Sequence, residues 1–417
     1  MDKFIRLHQE LHARPTPEIR VGSTIFHLAY FRGDCSVDDE KDHLDVLATK
    51  LNAGVQTAGD SHVVLTIGGS SLRIEFHTEF TEYTFIKNTI GDFESEPILD
   101  TVPADWIDGI PGETVNRVQI HVEAVVEFSE PADTARSFGI DKILGSDISD
   151  SQMRVCSDFR VAAQGNTRIL LECKTDDPPR IGRAVQRVID IENYRMMAFI
   201  GLQKSREISP PMTDIEKKLE TVMQNIANIE SVDDEKQTLA ELTDLSAQVE
   251  LLKARSMNRF RATEAYSEIM QDRLGELREA KIEGCLSFGG FLLRRSIPAF
   301  RTCRAAKERI LDLSLRVSRA AELLRTRIDV QVEEQNQQLL QSVDNRASLQ
   351  NRLQLTIEWF SVFAISVYLL QLAKFILDAI VSYGHSLNVP LILGISAPIV
   401  LVAVALVINV IRRRYND

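Results

Sequence analysis

Two pairs of histidine and glutamate lie at positions where they could bind a metal ion. His77 and Glu79 are two residues apart in one strand-like run, and His121 and Glu123 are two apart in another. Because side chains alternate between the faces of a strand, each pair is predicted to share one face of a sheet. If the two strands are neighbours, two imidazoles and two carboxylates meet, a donor set that suits zinc or manganese. The alternative is a hydrogen-bonded polar face without a metal.

The opening segment carries a second polar group, with His12 and Arg14 just before Pro15. These side chains could bind an anion such as phosphate. They could instead dock the segment onto a partner or onto the rest of the domain, and docking is the favoured interpretation.

No motif of a known catalytic class accompanies these residues. Residues 68–71 (Gly-Gly-Ser-Ser) lack a nearby lysine and fail as a phosphate loop, and neither His-Glu-x-x-His nor Gly-x-Ser-x-Gly is present. The five cysteines are scattered and never form a C-x-x-C pair, which is typical of reduced thiols. The sequence therefore predicts no enzymatic activity, and a divalent metal is the one cofactor that it suggests.

Two long apolar runs, residues 357–380 and 390–411, indicate a membrane protein. Each is long enough to cross a hydrocarbon core, which needs about 20 apolar residues in a helix. The connection between them contains neither Lys nor Arg, whereas arginines precede the first run and residues 412–417 form a basic tail after the second. The positive-inside rule then predicts a multi-pass protein with both termini in the cytoplasm.

Three ionisable residues lie in or beside the first run. Glu358 is at its inner end, and Lys374 and Asp378 are four residues apart near its outer end. Ionisable groups inside a membrane are candidates for an ion or proton pathway by default. The alternative is that Lys374 reaches the interface and pairs locally with Asp378.

The region before these runs is predicted to contain two parts. Residues 1–206 are predicted to form an α+β or α/β cytoplasmic domain, with helices over 37–51 and 180–202. The predicted strands lie at 26–31, 62–67, 72–87, 115–128, 153–163 and 168–174. Residues 91–112 are predicted to be a loop, and Pro210-Pro211 to mark a boundary before a helix capped at Thr213.

Residues 207–356 are predicted to form a helical, coiled-coil-like stalk, followed by a two-helix transmembrane hairpin over 357–411. Residues 235–283 are expected to pack antiparallel on a helix that begins at Pro298. If that helix is unbroken, it enters the first span, and the sequence leaves this continuity open. The coiled-coil spacing of three and four is carried by Ile310, Leu313, Val317, Ala320 and Leu324. Beyond Val332 the helix is rich in Gln and Asn, and polar residues at a helical seam can fix an oligomeric state. The stalk therefore predicts self-association.

Several blocks of sequence resemble a bacterial family of membrane-anchored proteins of unknown function. The resemblance covers nearly the whole chain and begins with the signature Glu10-Leu11-His12-Ala13-Arg14-Pro15. Other blocks are His77-Thr78-Glu79-Phe80, Ile191-Glu192-Asn193-Tyr194-Arg195-Met196 and Arg273-Leu274-Gly275-Glu276-Leu277-Arg278-Glu279. The resemblance implies a location in the bacterial inner membrane and implies no activity.

The order of elements is also similar to that of CorA-type magnesium channels. Those channels have an N-terminal α/β domain, a long helix that enters the first span, and a second span that ends in basic residues. They carry Gly-Met-Asn after the first span, where this chain has Tyr383-Gly384-His385-Ser386.

The favoured function is therefore a membrane-anchored interaction, scaffold or sensor protein that faces the cytoplasm as a homo-oligomer. Its predicted partners are the lipid bilayer, further copies of itself and a cytoplasmic protein. Nucleic acid is excluded as a partner, because the net charge of −12 opposes binding to phosphates. The alternatives are a CorA-like divalent cation channel or transporter and, less favoured, a metal-dependent enzyme.

Overall fold

The computed structural model describes residues 16–58, 61–91, 93, 102–226, 229, 231–382 and 388–416. It divides the chain into two compact units, Met1–Ala321 and Glu322–Asp417. His12 and Arg14 lie outside the described residues, as does the connection 383–387. The boundaries predicted at 206 and 356 fall inside helices of the structure.

The first unit contains a mixed sheet of ten strands. The strands are β1 Ser23–Phe31, β2 Gly54–Ala58, β3 His62–Ile67, β4 Ser70–Phe76, β5 Phe80–Lys87, β6 Glu113–Ala124, β7 Leu144–Ile148, β8 Met153–Val161, β9 Thr167–Cys173 and β10 Ala280–Lys281. Their order is β10-β7-β8-β9-β6-β1-β5-β4-β3-β2. The β6–β9 pair is parallel, and the other pairs are antiparallel.

Three of the described helices are much longer than the others. The helices are α1 Val37–Leu51, α2 Ala104–Asp108, α3 Pro131–Ser137, α4 Pro178–Ile226, α5 Val232–Glu276, α6 Phe288–Ser382 and α7 Val389–Asn416. The prediction for residues 37–51 is confirmed, and Ser36 caps this helix by accepting a hydrogen bond from the Asp39 amide. The prediction that 91–112 is entirely a loop is wrong, because α2 lies within it.

Strand β1 lies near the middle of the sheet and is buried on both faces. Phe26 and Leu28 contribute to the core beneath α1, whereas Ile25 contributes to the core beneath α4. His27 and Ala29 lie on the α4 side, where His27 contacts Asn193 and Ala29 packs with Met197. The alternation of a strand therefore brings polar residues of the sheet against α4.

Helix α4 continues through Pro210 and Pro211, so the boundary predicted there is wrong. Two prolines remove backbone donors and usually end a helix. Here the apolar stripe continues on both sides of them, with Ile208, Met212 and Ile215 each at most 2% exposed. Burial of this stripe outweighs the missing hydrogen bonds. The Thr213 hydroxyl donates to the Ser209 carbonyl and does not cap a new helix.

Helices α5 and α6 run antiparallel in the first unit, as the stalk prediction expected. Lys307 Nζ lies 2.6 Å from Glu264, and the Ser314 hydroxyl donates to Glu250 over 2.9 Å. The predicted coiled-coil positions of α6 are all buried. Helix α6 begins at Phe288, so Pro298 lies inside it and not in its first turn. The helix is continuous from Phe288 to Ser382, a question that the sequence leaves open.

The second unit consists of the remainder of α6 and α7. Two helices of the described chain are long and apolar enough to cross a membrane, within Phe288–Ile380 and Val389–Ile411. Every residue from 332 to 357 is exposed, including the Gln- and Asn-rich stretch. Val362, Ser366 and Val404 are buried in this unit.

Candidate functional site

A polar cavity of about 290 Å³ lies in the first unit beside α4, the end of α5 and the turn after β4. Ten residues line it, and eight of them are charged residues, a histidine or a tyrosine. The lining consists of Thr16, Glu75, His77, Arg183, Gln186, Arg187, Asp190, Tyr194, Arg273 and Glu276. Clustered ionisable groups in a cavity are a recurrent feature of binding and catalytic sites.

Helix α4 supplies half of this lining. Arg183, Arg187, Asp190 and Tyr194 follow one another at spacings of four, three and four, which places them along one stripe of the helix. The opposite side of α4 is held by the core, where Val185, Val188 and Ile189 are each 1% exposed. Packing of the apolar side thus orients the polar stripe toward the cavity.

A chain of ion pairs joins α4 to the end of α5. Arg273 Nε lies 3.0 Å from Asp190 Oδ2, and its Nη1 donates to Glu276 Oε1 over 2.8 Å. Arg187 Nε donates to Glu276 Oε2 over 3.0 Å, and Gln186 Nε2 donates to Asp190 Oδ1 over 2.9 Å. Glu276 therefore accepts from two arginines, and Asp190 accepts from Gln186 and forms an ion pair with Arg273, which holds the side chains in place.

The Asp190 carboxyl has a strongly shifted pKa. Burial and the nearby charge of Glu82 raise this pKa from 3.8 to about 7, with a further contribution from Glu75. The hydrogen bond from Gln186 and the charge of Arg273 act in the opposite direction and do not cancel the increase. Asp190 therefore changes its charge near neutral pH, which is unusual for an aspartate.

His77 joins the cavity to a buried acidic group beneath it. Its ring stacks on Phe80 with 4.3 Å between ring centroids, and its Nε2 lies 3.1 Å from Glu82 Oε1. Burial opposes ionisation of Glu82, but the hydrogen bond and charge of His77 lower the pKa of this carboxyl below its usual value. A charged glutamate in the interior is stabilised in this way by a histidine at the cavity wall.

Further buried polar groups continue from Glu82 into the domain. Asn193 Nδ2 lies 2.8 Å from His27 Nε2, and Asn116 Nδ2 donates to Asn193 Oδ1 over 2.7 Å. His27 Nδ1 lies 2.8 Å from the Thr84 hydroxyl. Burial lowers the pKa of His27, so its ring is neutral at pH 7. Asn193 also hydrogen-bonds to Glu82, so this buried network holds Glu82, and through it His77, in position.

We expect the Asp190→Asn variant to be more stable than wild type at pH 8, and by a larger margin than at pH 5. Between pH 4 and 7 the folded state binds a proton at Asp190 that the unfolded chain does not, so wild-type stability falls as pH rises through this range. Asparagine cannot ionise, and the variant should gain on the order of 2 kcal/mol over wild type at pH 8. Denaturant midpoints at the two pH values measure the difference.

Asp45→Asn provides the control for this experiment, since Asp45 is exposed on α1. Its midpoint should follow that of wild type at both pH values. An Asp190→Asn variant whose stability relative to wild type is the same at pH 5 and pH 8 would contradict the assigned titration.

The structure separates the four residues predicted to bind a metal. His77 and Glu79 lie in the turn between β4 and β5 and not within a strand, so alternation along a strand does not pair them. The Glu79 carboxylate accepts hydrogen bonds from Arg259 Nη2 over 2.9 Å and from the Tyr266 hydroxyl over 3.0 Å. Glu79 therefore links this turn to α5.

His121 and Glu123 lie on β6, which is not adjacent to β4 because β1 and β5 lie between them. The His121 ring stacks on Phe93 at 3.7 Å, and burial together with Glu172 raises the pKa of Glu123. The neighbouring strands that the prediction required are thus absent from this part of the sheet. Among the described residues, no group of three or more His, Cys, Asp or Glu could hold a metal ion.

The three ionisable residues of the first apolar run lie in the second unit. Lys374 and Asp378 are exposed, and no ion pair within 4.0 Å joins them there. Glu358 lines a cavity of about 490 Å³ whose other walls come from α6 and α7, including Trp359, Val362 and Asn409.

The cavity beside α4 contains residues that the sequence analysis did not select. Of its lining, only His77 was named as a site residue. The signal that could have found the others is the polar stripe at spacings of three and four on a helix with a strongly apolar opposite side. Three blocks that carry the family resemblance also supply lining residues, namely His77, Tyr194, Arg273 and Glu276.

A family model described as protein of unknown function (DUF3422) matches residues 5–415 of the chain. The match covers nearly the whole chain, so the polar cavity and both apolar helices lie within it. No curated protein matches the chain, and no solved structure does.

Proposed function

The chain belongs to the family of proteins of unknown function DUF3422, and we propose that this member is a membrane-anchored sensor. In this proposal α7 and the C-terminal part of α6 form a transmembrane hairpin in the bacterial inner membrane. The sheet domain faces the cytoplasm and binds a small ligand in the cavity beside α4. Binding is then communicated to a cytoplasmic partner or between copies of the protein.

The polar cavity carries the sensor part of this proposal. It combines ionisable side chains from α4, α5 and the turn after β4, and a buried network supports it from below. Buried polar groups are costly to a fold unless they are satisfied, and they concentrate at functional sites. His12 and Arg14 are proposed to assist docking there, because Pro15 alone separates Arg14 from the lining residue Thr16.

The exposed apolar helices carry the membrane part. Phe363, Tyr368 and Phe375 are each more than 60% exposed on α6, and α7 exposes a similar set of large apolar side chains. A water-soluble protein rarely exposes an apolar surface of this extent. A lipid bilayer would cover such side chains, and both helices are long enough to cross it with their backbone hydrogen bonds made internally.

Self-association is proposed from the stretch 332–357. All of its residues are exposed, and its Leu and Val side chains are interspersed among Gln, Asn and charged residues. A helix with these properties gains little stability from burial within its own chain. Packing against the same stretch of another copy would bury the apolar positions and pair the polar ones.

A CorA-like cation channel or transporter is the second candidate. It is favoured by Glu358, whose side chain lines the cavity between α6 and α7. Two spans of one chain cannot enclose a conduit, so this candidate requires a closed ring of copies. It also requires uptake of divalent cations into vesicles that contain the purified protein. The third candidate, a metal-dependent enzyme, would require bound metal in the purified protein.

The anchoring is tested by a matched pair of cysteine variants, Ser386→Cys and Ser342→Cys. In intact cells stripped of their outer membrane, a membrane-impermeant maleimide should label the first and not the second, because only the connection between the spans faces outward. Both should be labelled after lysis, and the protein should remain in the membrane after carbonate extraction. Release by carbonate, or labelling of Ser342→Cys in intact cells, would contradict the proposal. The mass of the detergent-purified protein measures self-association, and a strictly monomeric mass would contradict the proposed self-association through residues 332–357.

A further inference from the structure

We propose that the cavity beside α4 binds a small oxyanion, a molecule that carries carboxylate or phosphate groups, through Arg183, Arg187 and Arg273. This inference rests on the proposed function, in which the cavity is a ligand site, and it names the class of ligand. In the network of Arg187, Asp190, Arg273 and Glu276, the carboxylates already have partners within the domain, whereas the arginines keep unused hydrogen-bond donors.

The acidic groups of the arginine network are occupied. Glu276 accepts hydrogen bonds from both Arg187 and Arg273. Asp190 accepts from Gln186 and lies against Arg273 Nε at 3.0 Å. A cationic ligand would have to displace these internal partners. Each ion pair that it formed with Asp190 or Glu276 would break an existing one, so little binding energy would be gained.

The basic groups retain donors that point to no acceptor in the described part of the domain. Arg187 donates through Nε, and its two terminal nitrogens make no hydrogen bond within that part. Arg273 donates to Glu276 through Nη1. Its Nε lies near Asp190 as an ion pair without a hydrogen bond, and its Nη2 donates to no described acceptor. Arg183 is exposed at the cavity wall and has no ion pair among the described side chains. Because each guanidinium carries five donors in a planar fork, the free edges fit carboxylate or phosphate oxygens.

The fold brings these three arginines to one wall. Arg183 and Arg187 are one helical turn apart on α4, whose opposite side is buried in the core. Glu276 fixes Arg187 and Arg273 relative to each other. The wall also contains the hydroxyl of Thr16 and the imidazole of His77. Preorganised donors lose little entropy when a ligand binds, which favours a specific site.

The size and charge of the cavity limit the ligand further. About 290 Å³ is at the small end of the range for ligand cavities, so the oxyanion is a small molecule. Asp190 has a pKa of about 7 and is partly uncharged at neutral pH. The three arginines of the lining therefore exceed its ionised carboxylates, which are Glu75, Glu276 and a part of Asp190. Both properties favour an anion with one or two acidic groups near the arginines.

The test is isothermal titration of the full-length protein in detergent with three separate probes at constant ionic strength. The probes are inorganic phosphate, citrate and magnesium chloride. We expect phosphate or citrate to bind, and comparison of the two separates the phosphate source from the carboxylate source. Arg183→Gln should weaken binding on the order of tenfold, because a charged hydrogen bond to the ligand is lost. The control Arg206→Gln removes an exposed arginine of α4 outside the cavity and should leave binding unchanged.

Asp190→Asn should act in the opposite direction. It removes a negative charge from the wall and releases Arg273 Nε, so anion binding should strengthen several-fold. Opposite effects of the two variants cannot arise from general unfolding. Binding of neither anion, or equal affinities of wild type and Arg183→Gln, would overturn the oxyanion assignment. Binding of magnesium alone would overturn it as well, but would retain a ligand site in the domain. Membrane anchoring is measured independently by the cysteine pair.

Discussion

Gly182→Ala is expected to destabilise the sheet domain by about 3 kcal/mol, in the upper range for overpacking a core. Gly182 lies in α4 beneath the segment that contains Pro17. A Cβ atom at this position would lie 1.7 Å from the Pro17 carbonyl oxygen, which is a backbone atom and cannot rotate away. The substitution must therefore displace the segment from α4.

The displaced segment also connects to the cavity. Ile19 is 1% exposed in the core and donates its amide to the Pro178 carbonyl over 3.2 Å. Thr16 lines the cavity wall. We therefore expect Gly182→Ala to lower the denaturant midpoint and, at concentrations where the protein remains folded, to weaken ligand binding.

Gly275→Ala is the matched control for this substitution. Gly275 lies in the last turn of α5, and nothing lies within 4 Å of a Cβ atom built there. Alanine has the higher helix propensity, so this variant should gain up to about 1 kcal/mol. If Gly182→Ala unfolded at the same denaturant concentration as wild type, the close packing of Pro17 on α4 would be wrong.

Arg32→Met is expected to destabilise the domain by about 3–5 kcal/mol, the range for leaving one member of a buried ion pair without its partner. Arg32 Nε lies 3.1 Å from Glu40 Oε2, and the two side chains are 9% and 0% exposed. Arg32 also donates to the Thr78 carbonyl over 2.9 Å and to the Thr81 hydroxyl over 2.9 Å. It thereby holds the turn that carries His77.

The loss should grow as pH rises. Burial already raises the pKa of Glu40, and Arg32 is one of the groups that oppose this increase. Without Arg32 the pKa of Glu40 rises further. The folded state then loses stability as pH rises from the ordinary glutamate pKa to the raised one, and the loss is complete above it. Denaturant midpoints at pH 5 and pH 8 measure this dependence.

Two further variants separate the ion pair from other effects of the substitution. The double variant Arg32→Met/Glu40→Met removes both charges and should recover much of the lost stability. Arg160→Met changes an exposed arginine on β8 and should shift stability by less than about 0.5 kcal/mol. A single variant Arg32→Met as stable as wild type at both pH values would exclude a structural role for the pair.

Much of the secondary structure could be predicted because it depends on local patterns. Helix α1 has a capping serine and a clear periodicity, and its predicted bounds match the structure. The buried positions of α6 from Ile310 to Leu324 follow the predicted coiled-coil spacing. A turn at Gly165 joins β8 and β9, and glycine is suited to this position because its φ is positive.

Errors arose where tertiary packing overrides a local signal. Pro210 and Pro211 predict a boundary, but the buried stripe of α4 on either side of them keeps the helix intact. Pro298 predicts a helix start, yet α6 begins ten residues earlier at Phe288. In both cases the energy of burying apolar side chains exceeds the cost of one or two missing backbone hydrogen bonds.

The amino-acid sequence by itself determined the class of this protein, namely a mixed α and β region followed by long helices and two apolar helices. These features follow from composition and period along the chain, which are local properties. Only the tertiary structure decided which polar residues meet. His77, Asp190 and Arg273 are far apart in the chain and lie around one cavity. His77 follows β4, whereas His121 lies on β6, and β1 and β5 separate these two strands. Strand order and helix docking set these distances, because long-range pairing is selected by the burial of whole surfaces and not by the spacing of any two residues.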